Sequence, residues 1–202
     1  MAEKHYTLQL NAKVQPLDRG DMFEDPLMEL LEKEGIGEID GGGTSFDQET
    51  GEIFYCDVEI YLNDDSAESR EKLIKLVNKV GVPKGSFLIF IDGEEPDYDD
   101  EEADIPDSTK LEIGTLEGLR FSINGTELPE EVYKNNDINK VIDDLIDLME
   151  AEKAGTYYSY VTRNTHTDLI FYGNSFAKMK EIVEKYAPNN PLCEKSLIEQ
   201  IA

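Results

Sequence analysis

The sequence predicts an α+β protein: two ferredoxin-like halves of the βαββαβ kind, joined by an acidic linker. Three observations carry this. Several runs alternate apolar and polar residues with a period of two, residues 5–14 and 53–62 most cleanly, and that alternation marks strands with one buried face. Other runs repeat apolar residues three and four apart, the spacing of helices packed on one side. Residues 92–107 hold ten acids in sixteen positions and no Lys or Arg. Such a segment cannot bury enough apolar surface to offset the entropy of ordering itself, so it reads as a solvated linker. The expected boundaries are residues 1–91 for the first half, 92–107 for the linker and 108–202 for the second half.

In residues 5–14, Tyr6, Leu8, Leu10, Ala12 and Val14 share one face, and His5, Thr7, Gln9 and Asn11 share the other. Asp25-Pro26 reads as an N-cap with proline at the first helical position. Leu27, Leu30 and Leu31 supply that helix's stripe and Gly35 ends it. After Asp47–Gly51, a turn, the strand over 53–62 points Phe54, Cys56, Val58, Ile60 and Leu62 one way and Tyr55, Asp57, Glu59 and Tyr61 the other. Asp65–Glu68 has the spacing of a capping box ahead of a helix carrying Leu73, Ile74, Val77 and Val80. Residues 86–91, SFLIFI, are continuously apolar and suit a buried strand. The order strand, helix, strand, strand, helix, strand is the split βαβ arrangement.

The second half repeats that outline. Residues 109–123 are extended and Asn124-Gly125 is a turn signal. Ile138, Val141, Ile142, Leu145 and Met149 follow helical spacing, with Asp143, Asp144 and Asp147 on the far side. Residues 157–162 and 167–172 pair around Arg163–His166. Asn174 begins a helix striped by Phe176, Met179, Ile182, Val183 and Tyr186, and residues 195–201 make a last strand.

The formal net charge is −26, shared as −10, −10 and −6 among the first half, the linker and the second half. A field of that sign repels nucleic acid and anionic lipid and attracts cationic partners, less so as salt rises. Cys56 and Cys193 fit no CxxC, zinc or disulfide spacing, the pattern of reduced thiols in a cytosolic protein. The first residues lack a signal architecture, and no apolar run reaches the length that spans a bilayer. A cytoplasmic location without membrane attachment is expected.

Chemistry has few footholds. Gly41-Gly42-Gly43 lacks the lysine and hydroxyl of a phosphate loop; it reads either as a structural bulge or, with Thr44, as backbone lying against a ligand or partner. His5 and His166 sit in different halves with no nucleophile spaced to use them, so no catalytic residue is assigned. Asp57, Glu59 and Asp40 could gather around a divalent cation, but acids alternating on a solvent face are ordinary, and no metal or cofactor is expected. Tyr55 and Tyr61 fit the aromatic part of an RNA-binding sheet, yet Asp57 and Glu59 invert the charge it needs. The same four residues suit a basic protein surface, with tyrosines as anchors and carboxylates pairing to Arg or Lys. Equally, the two halves could cover these faces by packing them together.

Several strings resemble those of an uncharacterised bacterial cytosolic family: Phe23-Glu-Asp-Pro-Leu27, Asp40-Gly-Gly-Gly-Thr44, Tyr55-Cys-Asp-Val-Glu-Ile60, Tyr172-Gly-Asn-Ser175 and Pro191-Leu-Cys193. That likeness implies no site residue. In charge and size the chain also resembles bacterial immunity proteins, which cover a basic cleft of a nuclease toxin. The function expected is a non-catalytic, acidic interaction protein for a basic protein partner, as an immunity or inhibitor protein. The alternative is a small-molecule sensor resembling paired amino-acid-binding, ACT-like regulatory modules, with Gly41–Gly43 at the ligand.

Overall fold

Alternation over the first strand is realised in the computed structural model, which describes residues 4–91 and 107–202. In β1 (Lys4–Leu10) Tyr6, Leu8 and Leu10 are buried, while His5, Thr7 and Gln9 are half-buried. The next helix starts earlier than Asp25-Pro26 suggests. It runs as α1 (Pro16–Arg19), a π turn over Gly20–Glu24 and α2 (Asp25–Glu34), with Pro16 following the extended Gln15. Pro26 therefore lies inside a continuous helix, where a proline deletes one backbone donor; the wider π turn just before it accommodates that gap. Gly35 closes α2 in the left-handed conformation, φ 64°, as a C-terminal glycine does.

β2 (Gly37–Phe46) and β3 (Ile53–Leu62) form a hairpin whose turn is held by Asp47 Oδ1, accepting from the Glu49 and Thr50 amides and the Thr50 hydroxyl. Phe54 does not join the core as strict alternation requires. A register shift pairs Ser45 with Tyr55 but Phe46 with Ile53, so Ile53 turns inward and Phe54 is left exposed; a bulge resets the alternation by one residue. The cap of α3 (Ala67–Val80) is Ser66, whose hydroxyl accepts from the Ser69 amide, one residue later than the capping-box spacing indicates. Similarly Ser175, not Asn174, caps α6 (Phe176–Tyr186).

β4 (Ser86–Ile91) pairs antiparallel with β5 (Ser108–Ile113) from Ser86↔Ile113 to Ile91↔Ser108. This corrects the expected division. Residues 92–107 connect two neighbouring strands of one sheet, and the chain passes to the second sheet at Gly114–Leu116. The expected solvation of the acidic stretch lies outside the described residues. The first sheet is antiparallel with order β2-β3-β1-β4-β5. The second, also antiparallel, is built from β6 (Glu117–Asn124), β7 (Thr156–Thr162), β8 (His166–Gly173) and β9 (Leu197–Gln200), in the order β7-β8-β6-β9. Helices α4 (Glu130–Asn135) and α5 (Ile138–Ala151) precede β7, and α6 precedes β9. The fold is α+β, and β1–β4 and β6–β9 follow the same order of strands.

Two cores result. Tyr6, Leu8 and Leu10 pack with Leu31, Leu73 and Val77 of α2 and α3. Leu119, Phe121 and Phe171 pack with Val141, Leu145, Met179 and Val183 of α5 and α6. β8 is buried on both faces, because Ile170 and Tyr172 point away from α5 and α6 and enter the first core. The second sheet's helix-free face is thus covered in part by the first half. The Tyr172 hydroxyl accepts from the Lys13 amide at 2.8 Å, Ser159 Oγ accepts from the Gln15 amide at 3.2 Å and donates to Asp18 at 2.5 Å, and the Phe23 and Tyr158 rings lie 5.5 Å apart. A helical segment of one half lies on the bare face of the other's sheet.

Candidate functional site

The corresponding face of the first sheet is laid out by register, since residues opposed across antiparallel strands point the same way. One row reads Gly43, Asp57, Gln9, Phe87, Glu112, and the next Glu59, Thr7, Ile89, Lys110. Beyond them Tyr61 opposes His5, with ring centroids 5.0 Å apart, and Tyr55 opposes Ser45. The structure therefore brings Tyr55, Asp57, Glu59 and Tyr61 together on the face opposite α2 and α3. Tyr55 is exposed and the other three are half-buried. Among the described residues, the polar contacts that cross between the halves arise at the Asn11 carbonyl, Lys13, Gln15, Asp18, Thr50, Glu52, Val82 and Lys84, and none at Tyr55, Asp57, Glu59 or Tyr61.

The two acids of the face differ. Glu59 Oε2 lies 2.6 Å from His5 Nε2 and accepts from the Thr7 hydroxyl at 2.9 Å. Asp57 Oδ1 is shielded from solvent and has no hydrogen-bond partner among the described residues. Burial lifts the Asp57 carboxyl above the usual carboxylate range; the Gln9 side chain bonded to it opposes the shift, and the charge of Glu59 adds to it. A desolvated carboxylate with an idle oxygen is a costly surface feature.

Two glycines of the run have a structural reason of their own. Gly41 adopts φ 114° at the shift between Ile39 and Gly42, a conformation open to glycine and few others. At Gly42 an added Cβ would meet Asp57 O at 2.7 Å, Glu24 Oε1 at 3.0 Å and Arg19 Nε at 3.2 Å. The Arg19–Glu24 ion pair packs over that bare backbone, and Arg19 Nη1 donates to Thr44 Oγ1 at 3.0 Å. Gly43 has an ordinary φ, and nothing lies within 4 Å of where its Cβ would stand. Thr44 points to the helix side beside Cys56, away from the open face.

A second polar feature was not legible in the sequence. A cleft of about 730 Å³ opens between the halves, lined by Glu52, Arg120, Ser122, Arg163, His166, Lys195 and their neighbours. Glu52 bridges the halves: its carboxylate is 3.0 Å from Arg120 Nη1 and 2.7 Å from Arg163 Nη2. Arg163 also donates to Thr50 O at 3.0 Å and, through Nε, to Asp168 at 2.7 Å. Asp168 is 1% exposed and accepts from Ser122 at 2.5 Å. Arg120 is shared with Glu199. Both guanidiniums are thus engaged by the protein's own carboxylates, which is the chemistry of a lock between halves. The one available hint was Asp168 standing directly before the apolar run 169–172.

His5 and His166 remain far apart in role: His5 serves Glu59, and His166 lies 3.4 Å from Asp168 and 2.9 Å from the Thr165 hydroxyl. Asp40 is exposed within the β2 bulge. Among the described residues no group of three His, Cys, Asp or Glu is placed to hold a metal ion. Cys56 and Cys193 are free and buried. Burial raises both thiols, Cys193 to about 11, which suppresses the thiolate that redox or nucleophilic work needs. No helix among the described residues is long and apolar enough to cross a membrane.

No family model matches the chain, and no curated protein matches it. Solved structures that resemble it include an unknown protein from Galdieria sulphuraria, at 6% identity over 98% of each chain with a TM-score of 0.28. A candidate monooxygenase from Lactobacillus acidophilus NCFM shares 10% identity over 99% of this chain and 93% of that one, TM-score 0.31. The first two RRM domains of the yeast poly(U)-binding protein Pub1 share 6% identity over 100% and 99%, TM-score 0.25. Likeness at these scores transfers neither a fold nor a function.

Proposed function

We propose that this chain is a non-catalytic, acidic interaction protein of the cytosol, built from two ferredoxin-like units, that docks on a basic protein surface as an immunity or inhibitor protein does. The observation that carries the reading is the open face of the first sheet. Among the described residues, contact between the halves uses other surfaces and leaves Tyr55, Asp57, Glu59 and Tyr61 to a partner. Tyrosine rings give contact area at low conformational cost, and carboxylates steer and pair with Arg or Lys. The net charge of −26 extends that attraction over the whole molecule.

The test is capture from lysate across a salt series, comparing the wild type with a combined Tyr55→Ala, Asp57→Asn, Glu59→Gln, Tyr61→Ala variant. The wild type should retain a basic protein at low ionic strength and release it as screening grows. The variant should retain at least about tenfold less. Equal capture by the two proteins, or no basic protein at low salt, ends the proposal.

The inter-half cleft favours a second reading, a sensor of small polar molecules. A ligand seated there raises the melting temperature by mass action. A panel of anionic and zwitterionic metabolites that leaves Tm unchanged at millimolar concentration removes it.

A further inference from the structure

We infer that the open face of the first sheet takes one kind of element from its partner, a cationic amphipathic helix, with Asp57 as the carboxylate that anchors its charge. This rests on the proposal that the partner is basic and goes beyond it by naming the docking element.

Shape is the first argument. Five strands at about 4.8 Å spacing make a face roughly 20 Å wide, and a helix about 10 Å across lies on such a face as helices do in layered folds. The molecule itself does this once: the helix that begins at Pro16, with Asp18 and Phe23 on it and the extended Gln15 before it, lies on the helix-free face of the second sheet, against Ser159, Tyr158 and Tyr172. The first sheet's matching face has no such cover among the described residues.

Chemistry is the second argument. Phe87 and Ile89, in a strand that composition alone marks as wholly buried, are half-exposed on β4, between the central strand β1 and the edge strand β5. Gln9 and Thr7 of β1 separate them from Asp57 and Glu59 of β3, and Glu112 and Lys110 of β5 stand on their other side. An apolar row beside an acidic strand complements a helix with an apolar stripe bordered by Lys or Arg. Gly43 leaves the ground beside Asp57 open, and the half-buried Asp57 stands on the same face as Glu59.

Asp57 thereby gives a signature that a merely structural residue would not. A carboxyl whose folded pKa lies above its unfolded value weakens the fold as pH rises through that interval. Asn stays neutral, so Asp57→Asn should have a higher Tm than the wild type at neutral pH and no higher Tm in acid below both values. The same variant should bind its partner less well.

The experiment uses two synthetic peptides of identical Lys and Leu content. In one the leucines form a helical stripe, and in the other they are dispersed around the helix. Fluorescence anisotropy at about 50 mM salt, where steering is strong, should show the striped peptide binding at least about tenfold tighter. Ile89→Lys should abolish that preference. Asp57→Asn should weaken the striped peptide several-fold while raising Tm. Equal affinity for the two peptides overturns the helix inference and leaves the basic-partner proposal standing. Binding of neither peptide overturns both. A striped preference that survives Ile89→Lys places the docking elsewhere and overturns the inference.

Discussion

Asp168→Ala is expected to lower unfolding free energy by about 3 kcal/mol, near the lower end of what removing one member of a buried ion pair costs. Asp168 is 1% exposed and pairs with Arg163, whose side chain is 12% exposed. Alanine would leave the guanidinium with Glu52 and Thr50 O, and would strip Ser122 of its acceptor. Because Glu52 still answers part of the charge, the loss stays below the full value for an orphaned buried ion. Asp168→Asn should cost less, since an amide oxygen can still accept from Ser122. Urea denaturation measures the effect, with an unchanged m-value showing that the two states themselves are preserved. Salt separates this pair from its neighbour. Glu199, a partner of Arg120, is 60% exposed, so Glu199→Ala should lose its effect at about 1 M salt, whereas Asp168→Ala should not. A loss below about 1 kcal/mol for Asp168→Ala would mean that the Asp168–Arg163 pair does not carry the stability assigned to it.

Gly114→Ala is expected to cost more than about 2 kcal/mol, and to do so at a position with no side chain to lose. Gly114 has φ 98°, and a Cβ there would stand 2.1 Å from Pro83 O and 2.9 Å from Val82 O. Both obstacles are backbone and cannot rotate aside. They are also part of the joint between the sheets: Val82 O accepts from the Thr115 and Leu116 amides, and the Lys84 amide donates to Leu116 O. Gly43→Ala is the control. With ordinary φ and open space around it, that change should stay within about 0.5 kcal/mol. Thermal and chemical unfolding of the two variants side by side decide the matter; equal losses would refute the geometry described for the joint.

These two cases show what a single sequence exposes and what it hides. Period-two alternation identified β1 and β3 down to the faces of Tyr6 and Tyr61, because a strand's side chains obey a local rule. Helical spacing did the same for Leu73 and Val77 and for Val141 and Leu145. The rule fails where the backbone breaks it: the bulge at Phe54 reverses two side chains without leaving any mark in composition. Pro26 looked like a helix start because proline favours first turns, yet the π turn before it lets the helix begin at Pro16. The acidic stretch read as a divider because its composition says nothing of the strands on either side, which pair with each other. Of the candidate site, Tyr55, Asp57, Glu59 and Tyr61 were readable as one face, while Phe87 and Ile89 were concealed within an apolar run. The bond between Glu52 and Arg163 joins residues more than a hundred positions apart, and charge pairing over such a separation has no period to detect.

The fifth strand has a consequence for how the gene could be divided. Cutting the chain where its composition changes, after Ile91, would deprive the run SFLIFI of its neighbour and turn it into a raw, sticky margin, the kind that recruits strands from other molecules. A separable first module would have to carry residues through Ile113, so the natural seam for shuffling or fusion lies at the glycine beyond that strand, past the acidic run that catches the eye.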